Sequence, residues 1–327
     1  MTISITGKQL HKVVENNGNT IHYFISGNND GETIVFLHPA FGDHRCFDRQ
    51  IDYFSSNYQI ITLDMLGHGL TGVGKSKDNI TATTIHISEI LKVENKDKAH
   101  IVGVSLGSLL AQDFALKYPE KVLSLTALGG YDINKVQKEI AKNQRKEIFK
   151  WLFKAIFSME AFRRYAANIA VINEEERIHF YESAKHFTRK SFSVLRDVDK
   201  LITDRSIERT YPLLILVGEK DTEPALKEAN RWHNREQKNS KLFIIEKAGH
   251  CANMDNAEDF NEILMNFINN KEYYVRVRHR APLVKATFKQ EDGKKLLIMD
   301  SPERAVMAGQ SVVIYDDKEC LGGGIVV

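Results

Sequence analysis

The 327-residue chain has only three cysteines, Cys46, Cys251 and Cys320, and no C-x-x-C pair. That scarcity argues against a zinc cage or a disulfide framework and fits free thiols in a reducing cytoplasm. Long apolar runs are missing too: no stretch of about 18 residues is hydrophobic enough to expect a membrane-spanning helix. The opening residues, MTISITGKQLHKVVENNGN, have neither a basic leader nor an apolar core, so no signal peptide is expected and the expected location is cytoplasmic. Nor does charge of one sign dominate. Lys and Arg number 45 against 43 Asp and Glu, a formal net charge of +2, too balanced to point to nucleic acid or an anionic membrane. No internal repeat or low-complexity tract is visible. What is present is ordinary globular material, 43% hydrophobic and 27% charged, enough for one large α/β domain and a small second one.

Short apolar runs recur along the first 270 residues. TIVFLH (33–38), YQIITLD (58–64), AHIVGVS (99–105), VLSLTALGG (122–130), LLILVGEKD (213–221) and KLFIIEKAGH (241–250) read as strands buried on both faces. Residues 11–26 read as two shorter strands around the turn signal NNGN. Helical patterns lie between the runs, among them Thr84 to Val93, the stretch after Ser105 that ends before Pro119, and Ala257 to Asn269. Such alternation predicts βαβ units and a mostly parallel sheet.

The block from about 131 to 210 breaks the alternation. It is helical in pattern, rich in Lys, Arg and Glu, and carries Phe149, Trp151, Phe153, Phe157, Phe162 and Tyr165. Those aromatics are read either as helix-to-core packing or as the lining of an apolar substrate cleft beneath a cap. Past residue 270 the style changes to period-two alternation with the turn signals EDGK and DDKE, predicting a small all-β module. The expected organisation is therefore an α/β domain over 1–270, a helical cap within it at about 131–210, and a β-module over 271–327.

The strongest local signal is G-x-S-x-G at Gly103 to Gly107, directly after the strand HIVGV and directly before a helix. A sharp strand-to-helix turn exposes the serine Oγ, and flanking glycines avoid collisions with the neighbouring strand and helix. The plainer alternative is a serine that only caps the helix. A serine nucleophile needs a base, and the base needs an orienting carboxylate. Asp221 and His250 each follow a predicted strand, on the same sheet edge as Ser105, and the order Ser, Asp, His is that of α/β-hydrolases. Asp199 is a rival acid, placed in the cap region without a preceding strand. An oxyanion hole is expected from the backbone N–H groups of Leu106 and Ala40; Pro39 has none to donate. His38 and His68 are read as structural. The nine remaining histidines have no ligand-like spacing, so neither a metal nor another cofactor is expected.

With H-P-A-F-G (38–42), D-M-L-G-H-G (64–69), G-V-S-L-G, V-G-E-K-D and A-G-H in place, residues 11–270 resemble the α/β-hydrolase superfamily of cap-bearing esterases and related hydrolases. The resemblance implies a Ser-His-Asp hydrolase working through an acyl-enzyme, with carboxyl esters of small or medium size as the expected substrates. The same triad also cleaves thioesters, amides and carbon–carbon bonds. Pro39 departs from the glycine usual in the family, which bears on the oxyanion loop.

V-R-V-R-H-R-A-P (275–282), S-P-E-R-A-V-M-A-G-Q (301–310) and C-L-G-G-G-I (320–325) resemble the C-terminal β-barrel domain of tRNA-specific 2-thiouridylases. In that family the domain helps bind tRNA beside a thiolation domain. This chain shows no ATP-pyrophosphatase loop and no paired catalytic cysteines, so sulfur transfer is not expected, and Cys320 is read as structural. From Lys271 onward ten Lys and Arg stand against eight Asp and Glu. Alternation would set Arg276, Arg278 and Arg280 on one face, either as a stripe for RNA phosphates or as the charges of a solvated edge strand. An alternative function follows: a tRNA-associated protein whose hydrolase domain acts on an RNA-linked ester or serves as a scaffold.

Overall fold

The computed structural model describes residues 4–6, 9–74, 76–135, 150–151, 153–236, 239–269, 273–277, 281–291, 294–299, 306–316 and 319–326. The chain divides into two compact units, Met1–Ile263 and Leu264–Val327, and the division falls inside the helix Ala257–Asn269. Sheet strands of the first unit are β1 (Ser4–Thr6), β2 (Gln9–Asn16), β3 (Asn19–Gly27), β4 (Thr33–Leu37), β5 (Gln59–Leu63), β6 (Ala99–Val104), β7 (Val122–Leu128), β8 (Leu213–Gly218) and β9 (Ser240–Ile245). Their order is β1-β2-β3-β5-β4-β6-β7-β8-β9. The β1, β2, β3 and β5 neighbours are antiparallel, and every pair from β5 to β9 is parallel.

Every residue of β4, β5, β6 and β8 is buried, which is why their sequences run apolar without alternation. The β2–β3 turn places Asn17 and Gly18 at φ 47° and 74°, the paired left-handed geometry of a two-residue hairpin. Helices α1 (Asp48–Phe54), α2 (Thr83–Val93) and α3 (Leu106–Lys117) connect the central strands. After β4 the chain turns to β5 on one side; after β6 it proceeds to β7 on the other. The carboxyl ends of β4 and β6 therefore flank a topological switch point, the crevice where open α/β sheets bind ligands.

Between the adjacent strands β7 and β8 runs a helical excursion. Its described helices include α4 (Met159–Ala170), capped by Ser158, and α5 (Glu174–Ala184), capped by Asn173 and with three glutamates in its first turn. Arginine side chains tie it together. Arg163 donates to the carbonyls of Ala184, Lys185 and Phe187, and Arg189 to those of Ala155 and Ile156. The aromatics of this block divide between buried and exposed positions. Phe162 is buried, whereas Phe153 and Phe157 are 56% and 73% exposed and pack on each other. Trp151 sits edge-on to Phe41, and Tyr165 lies beneath the Lys154 ammonium. Phe149 lies outside the described residues.

The first unit continues through α6 (Glu223–Arg235), α7 (Ala252–Asp255) and into α8 (Ala257–Asn269). The second unit is a five-stranded antiparallel sheet of β10 (Tyr273–Arg276), β11 (Val284–Glu291), β12 (Lys294–Met299), β13 (Ser311–Asp316) and β14 (Glu319–Ile325), in the order β12-β11-β10-β13-β14. Both predicted turn signals fall between paired strands, β11 with β12 and β13 with β14. Among the described residues no pairing joins the outer strands β12 and β14.

Candidate functional site

Ser105 terminates β6 in a conformation that L-residues rarely adopt, φ 52° and ψ −115°. Two neighbours make that turn possible. A Cβ on Gly103 would sit 2.3 Å from the Gly107 carbonyl oxygen, and one on Gly107 would sit 2.1 Å from that of Leu37. The elbow is pressed against the loop that leaves β4, and only glycine fits there. We expect Gly107→Ala to disrupt the elbow, lowering the thermal midpoint by several degrees; an unchanged melting curve would contradict the tight fit. Ser105 stands at the helix start, but its side chain makes no capping bond. Its Oγ instead lies 2.8 Å from His250 Nε2.

His250 follows β9 and Asp221 follows β8, and the two loops are stitched together. Glu219 N–H donates to the Ile245 carbonyl, Lys220 N–H to that of Ala248, and Lys247 N–H to the Glu219 carboxylate, each at 2.9 Å. His250 Nδ1 is 2.9 Å from Asp221 Oδ2, and Thr222 N–H donates to Oδ1 at 2.6 Å. Asp199 is exposed in the helical excursion and takes no part in this contact.

Burial sets the electrostatics of the pair, and each partner outweighs it for the other. Desolvation alone pushes the His250 pKa down, but the Asp221 carboxylate raises it above its ordinary value. Desolvation pushes Asp221 up, yet His250 and the Thr222 N–H hold it below the usual carboxylate range. The Asp221 side chain is 3% exposed and that of His250 30%, so the imidazole edge remains reachable from solvent. With Asp221 ionised, Nδ1 carries the imidazole proton and Nε2 accepts from Ser105 O–H.

The loop after β4 forms a turn in which Gly42 N–H donates to the Pro39 carbonyl, 3.2 Å. Ala40 is the second residue of that turn, and Leu106 is the first residue of α3, directly after Ser105. Phe41 occupies the next position at φ 73°. Its buried ring meets Trp151, Phe162 and Phe187 edge-on at centroid distances of 5.1, 4.9 and 5.0 Å. This aromatic clasp between the loop and the helical excursion was not assigned from sequence, where Phe41 is one letter in a motif. Truncating the ring should cost about 3 kcal/mol or more. Because the position is left-handed, Phe41→Gly should be less destabilising than Phe41→Ala by about 1 kcal/mol. Denaturant unfolding of both variants checks this order, and Ala more stable than Gly would contradict it.

His38 and His68 are held by backbone. His38 accepts from Met65 N–H at Nε2 and faces the Pro39 carbonyl with Nδ1, and burial lowers its pKa. His68 faces the Leu66 carbonyl with Nδ1, and burial next to His38 brings its pKa to about 3. One cluster, Asp43, His44 and Asp64, has a cation-like spacing. Its carboxylates already accept from Arg45, from His44 and from Leu70 N–H, which leaves their charge and lone pairs engaged. Cys46 and Cys251 are buried free thiols, and Cys320 is exposed.

In the second unit the Arg276 guanidinium turns back onto its own sheet. Its Nε donates to the Ala281 carbonyl at 3.0 Å, and the group lies 5.3 Å above the Tyr315 ring. Arg278 and Arg280 lie outside the described residues.

Comparison with known proteins matches these two units to two families. Residues 32–146 match the family model of the alpha/beta hydrolase fold, and residues 256–326 that of an aminomethyltransferase beta-barrel domain. The second match supports a β-barrel-type module and is coarser than a thiouridylase assignment. A Bacillus subtilis protein named as a 2-succinyl-6-hydroxy-2,4-cyclohexadiene-1-carboxylate synthase is 24% identical over 262 residues, covering 75% of this chain and 93% of its own. The 3-oxoadipate enol-lactonase 1 of Acinetobacter baylyi is 23% identical over 273 residues, covering 80% and 98%. Among solved structures, one from a study of carboxylesterases of Nitrososphaera gargenis superimposes with a TM-score of 0.67 at 18% identity, covering 79% of this chain and 97% of that one. No described helix is long and apolar enough to cross a membrane. The chain has the α/β-hydrolase fold, carries that family's sequence pattern over residues 32–146, and has an enol-lactonase among its relatives.

Proposed function

We propose that this chain is a serine hydrolase, and that its substrates are carboxyl esters of small or medium size. The observation that carries the reading is the hydrogen-bonded run from Ser105 Oγ through His250 to Asp221, 2.8 and 2.9 Å long, set at a strained strand-to-helix elbow. His250 takes the proton from Ser105 as Oγ attacks the ester carbonyl. Asp221 holds the imidazole in the accepting tautomer and stabilises the imidazolium that forms. The N–H groups of Leu106 and Ala40 receive the developing oxyanion, each worth about 10²–10³ in rate. His250 then protonates the leaving alcohol, and water, activated by the same imidazole, releases the acyl group. No step calls for a cofactor.

In this reading residues 1–270 are the hydrolase domain, with 131–210 as the cap over the acyl site, and 271–327 are an accessory module. Relatives named as an enol-lactonase and a carboxylesterase fit ester chemistry, while others are named as 2-hydroxy-6-oxononadienedioate hydrolases. Contact with tRNA gains no support from Arg276, whose Nε donates to the Ala281 carbonyl and whose guanidinium lies over the Tyr315 ring.

Hydrolysis of a series of p-nitrophenyl esters, from acetate to octanoate, tests the reading. Turnover should rise with pH through the His250 pKa, because only neutral imidazole accepts the Ser105 proton. The raised pKa puts that limb above the ordinary value of about 6.5. Turnover already at its plateau below about pH 6 would contradict the assignment of His250 as base.

A further inference from the structure

The His250 loop is bonded to more than the Asp221 loop. We propose that Asp255 is a positioning residue: its carboxylate clips the His250 loop to the α4–α5 junction of the cap and so holds the imidazole at Ser105. This rests on the reading of Ser105, His250 and Asp221 as the reacting groups.

Asp255 Oδ2 accepts from Gly249 N–H at 2.8 Å. Its Oδ1 accepts from Ile172 N–H at 2.9 Å and from Asn173 N–H at 2.8 Å. On the other side of His250, Cys251 N–H donates to the Ala170 carbonyl at 2.8 Å. The amides on both sides of His250 are thus pinned, one to the cap directly and one through Asp255. The junction is tightly fitted: a Cβ on Gly249 would lie 2.9 Å from Ile172 Cγ2 and 3.2 Å from Asp255 Oδ2. A carboxylate suits this place because three N–H donors converge on its two oxygens. An asparagine keeps the shape but offers one oxygen and turns an NH₂ toward a donor. Since the clip joins the general-base loop to the cap, a displacement of the junction is passed to His250 through these bonds.

The test compares the full-length wild type with Asp255→Asn and Asp255→Glu. Two quantities are read: the rate of fluorophosphonate labelling of Ser105, and the low-field proton NMR signal of His250 Nδ1–H. Folding is checked by far-UV circular dichroism. We expect folded Asp255→Asn to label about 10- to 100-fold more slowly, the scale of a misplaced catalytic group, with a shifted or broadened His250 signal. Asp255→Glu, which keeps both acceptors, should recover part of the rate. Labelling within twofold of wild type and an unmoved signal in Asp255→Asn would overturn the proposal, even if its melting temperature fell. Should Asp255→Asn fail to fold, Asp255→Ser, which offers a single short acceptor, is read in its place: wild-type rate and signal overturn the proposal, and a slowed rate with a displaced signal supports it. A wild type that takes no label speaks against the Ser105 reading alone, and the His250 signal across the variants still decides the role of Asp255.

Discussion

Ester hydrolysis by Ser105→Ala is expected to fall by about 10⁴- to 10⁶-fold, the scale seen when the nucleophile of a serine triad is removed. The fold should survive. Ser105 makes no capping bond, its backbone is held by the Leu128 carbonyl and Ser108, and the loss of one hydroxyl leaves a small void beside His250. Alanine must still adopt φ 52°, the strain already borne by serine. Purified Ser105→Ala should therefore melt near the wild-type temperature while its p-nitrophenyl ester turnover drops to background. Turnover within tenfold of wild type would remove Ser105 from the mechanism.

The second large effect falls on Asp221. An ionised Asp221 accepts from His250 Nδ1–H and so leaves Nε2 free to take the Ser105 proton. Asp221→Asn keeps the shape but turns an amide N–H toward Nδ1, and the imidazole answers by protonating Nε2, the wrong tautomer for a base. A loss of about 10⁴-fold in kcat is expected near neutrality. The pH profile should change with it. The carboxylate raises the His250 pKa in the wild type, so its removal lets burial dominate and moves the rising limb of the residual activity to lower pH. A profile with its midpoint unmoved would mean that Asp221 is not the group that sets the His250 charge.

The parts of this site that a sequence makes legible are those encoded by neighbours in the chain. The elbow at Ser105 reads through because its glycines stand two residues to either side and the buried strand β6 precedes it. Asp221 and His250 read through because each follows an apolar run that forms a parallel strand. The run before His250 is not buried on both faces as expected: β9 is the edge strand, and Phe243 and Ile244 are exposed. The β2–β3 turn reads through for the same local reason, an Asn-Gly pair between alternating strands. The short strand β1 did not, because three residues give no period to count.

Contacts made at long range are a different matter. Phe41 meets rings that come from the far side of a helical excursion, and nothing in H-P-A-F-G marks the phenylalanine as left-handed or its ring as a clasp. Asp255 accepts two N–H groups from residues 82 and 83 positions away. Backbone donors leave no trace in side-chain identity, so no pattern of letters points to them. The aromatics of the excursion have helical spacing, but that spacing alone does not say which face meets the core. Phe162 turned inward and Phe157 outward.

The central claim is an activated Ser105, and mass spectrometry after fluorophosphonate treatment tests it most directly. Wild type, Ser105→Ala and His250→Ala are labelled side by side, and the adduct is located by peptide sequencing. The account predicts a single adduct, on Ser105, in the wild type, and none on either variant. A folded wild type that takes no label, or one that is labelled equally well without His250, would contradict it.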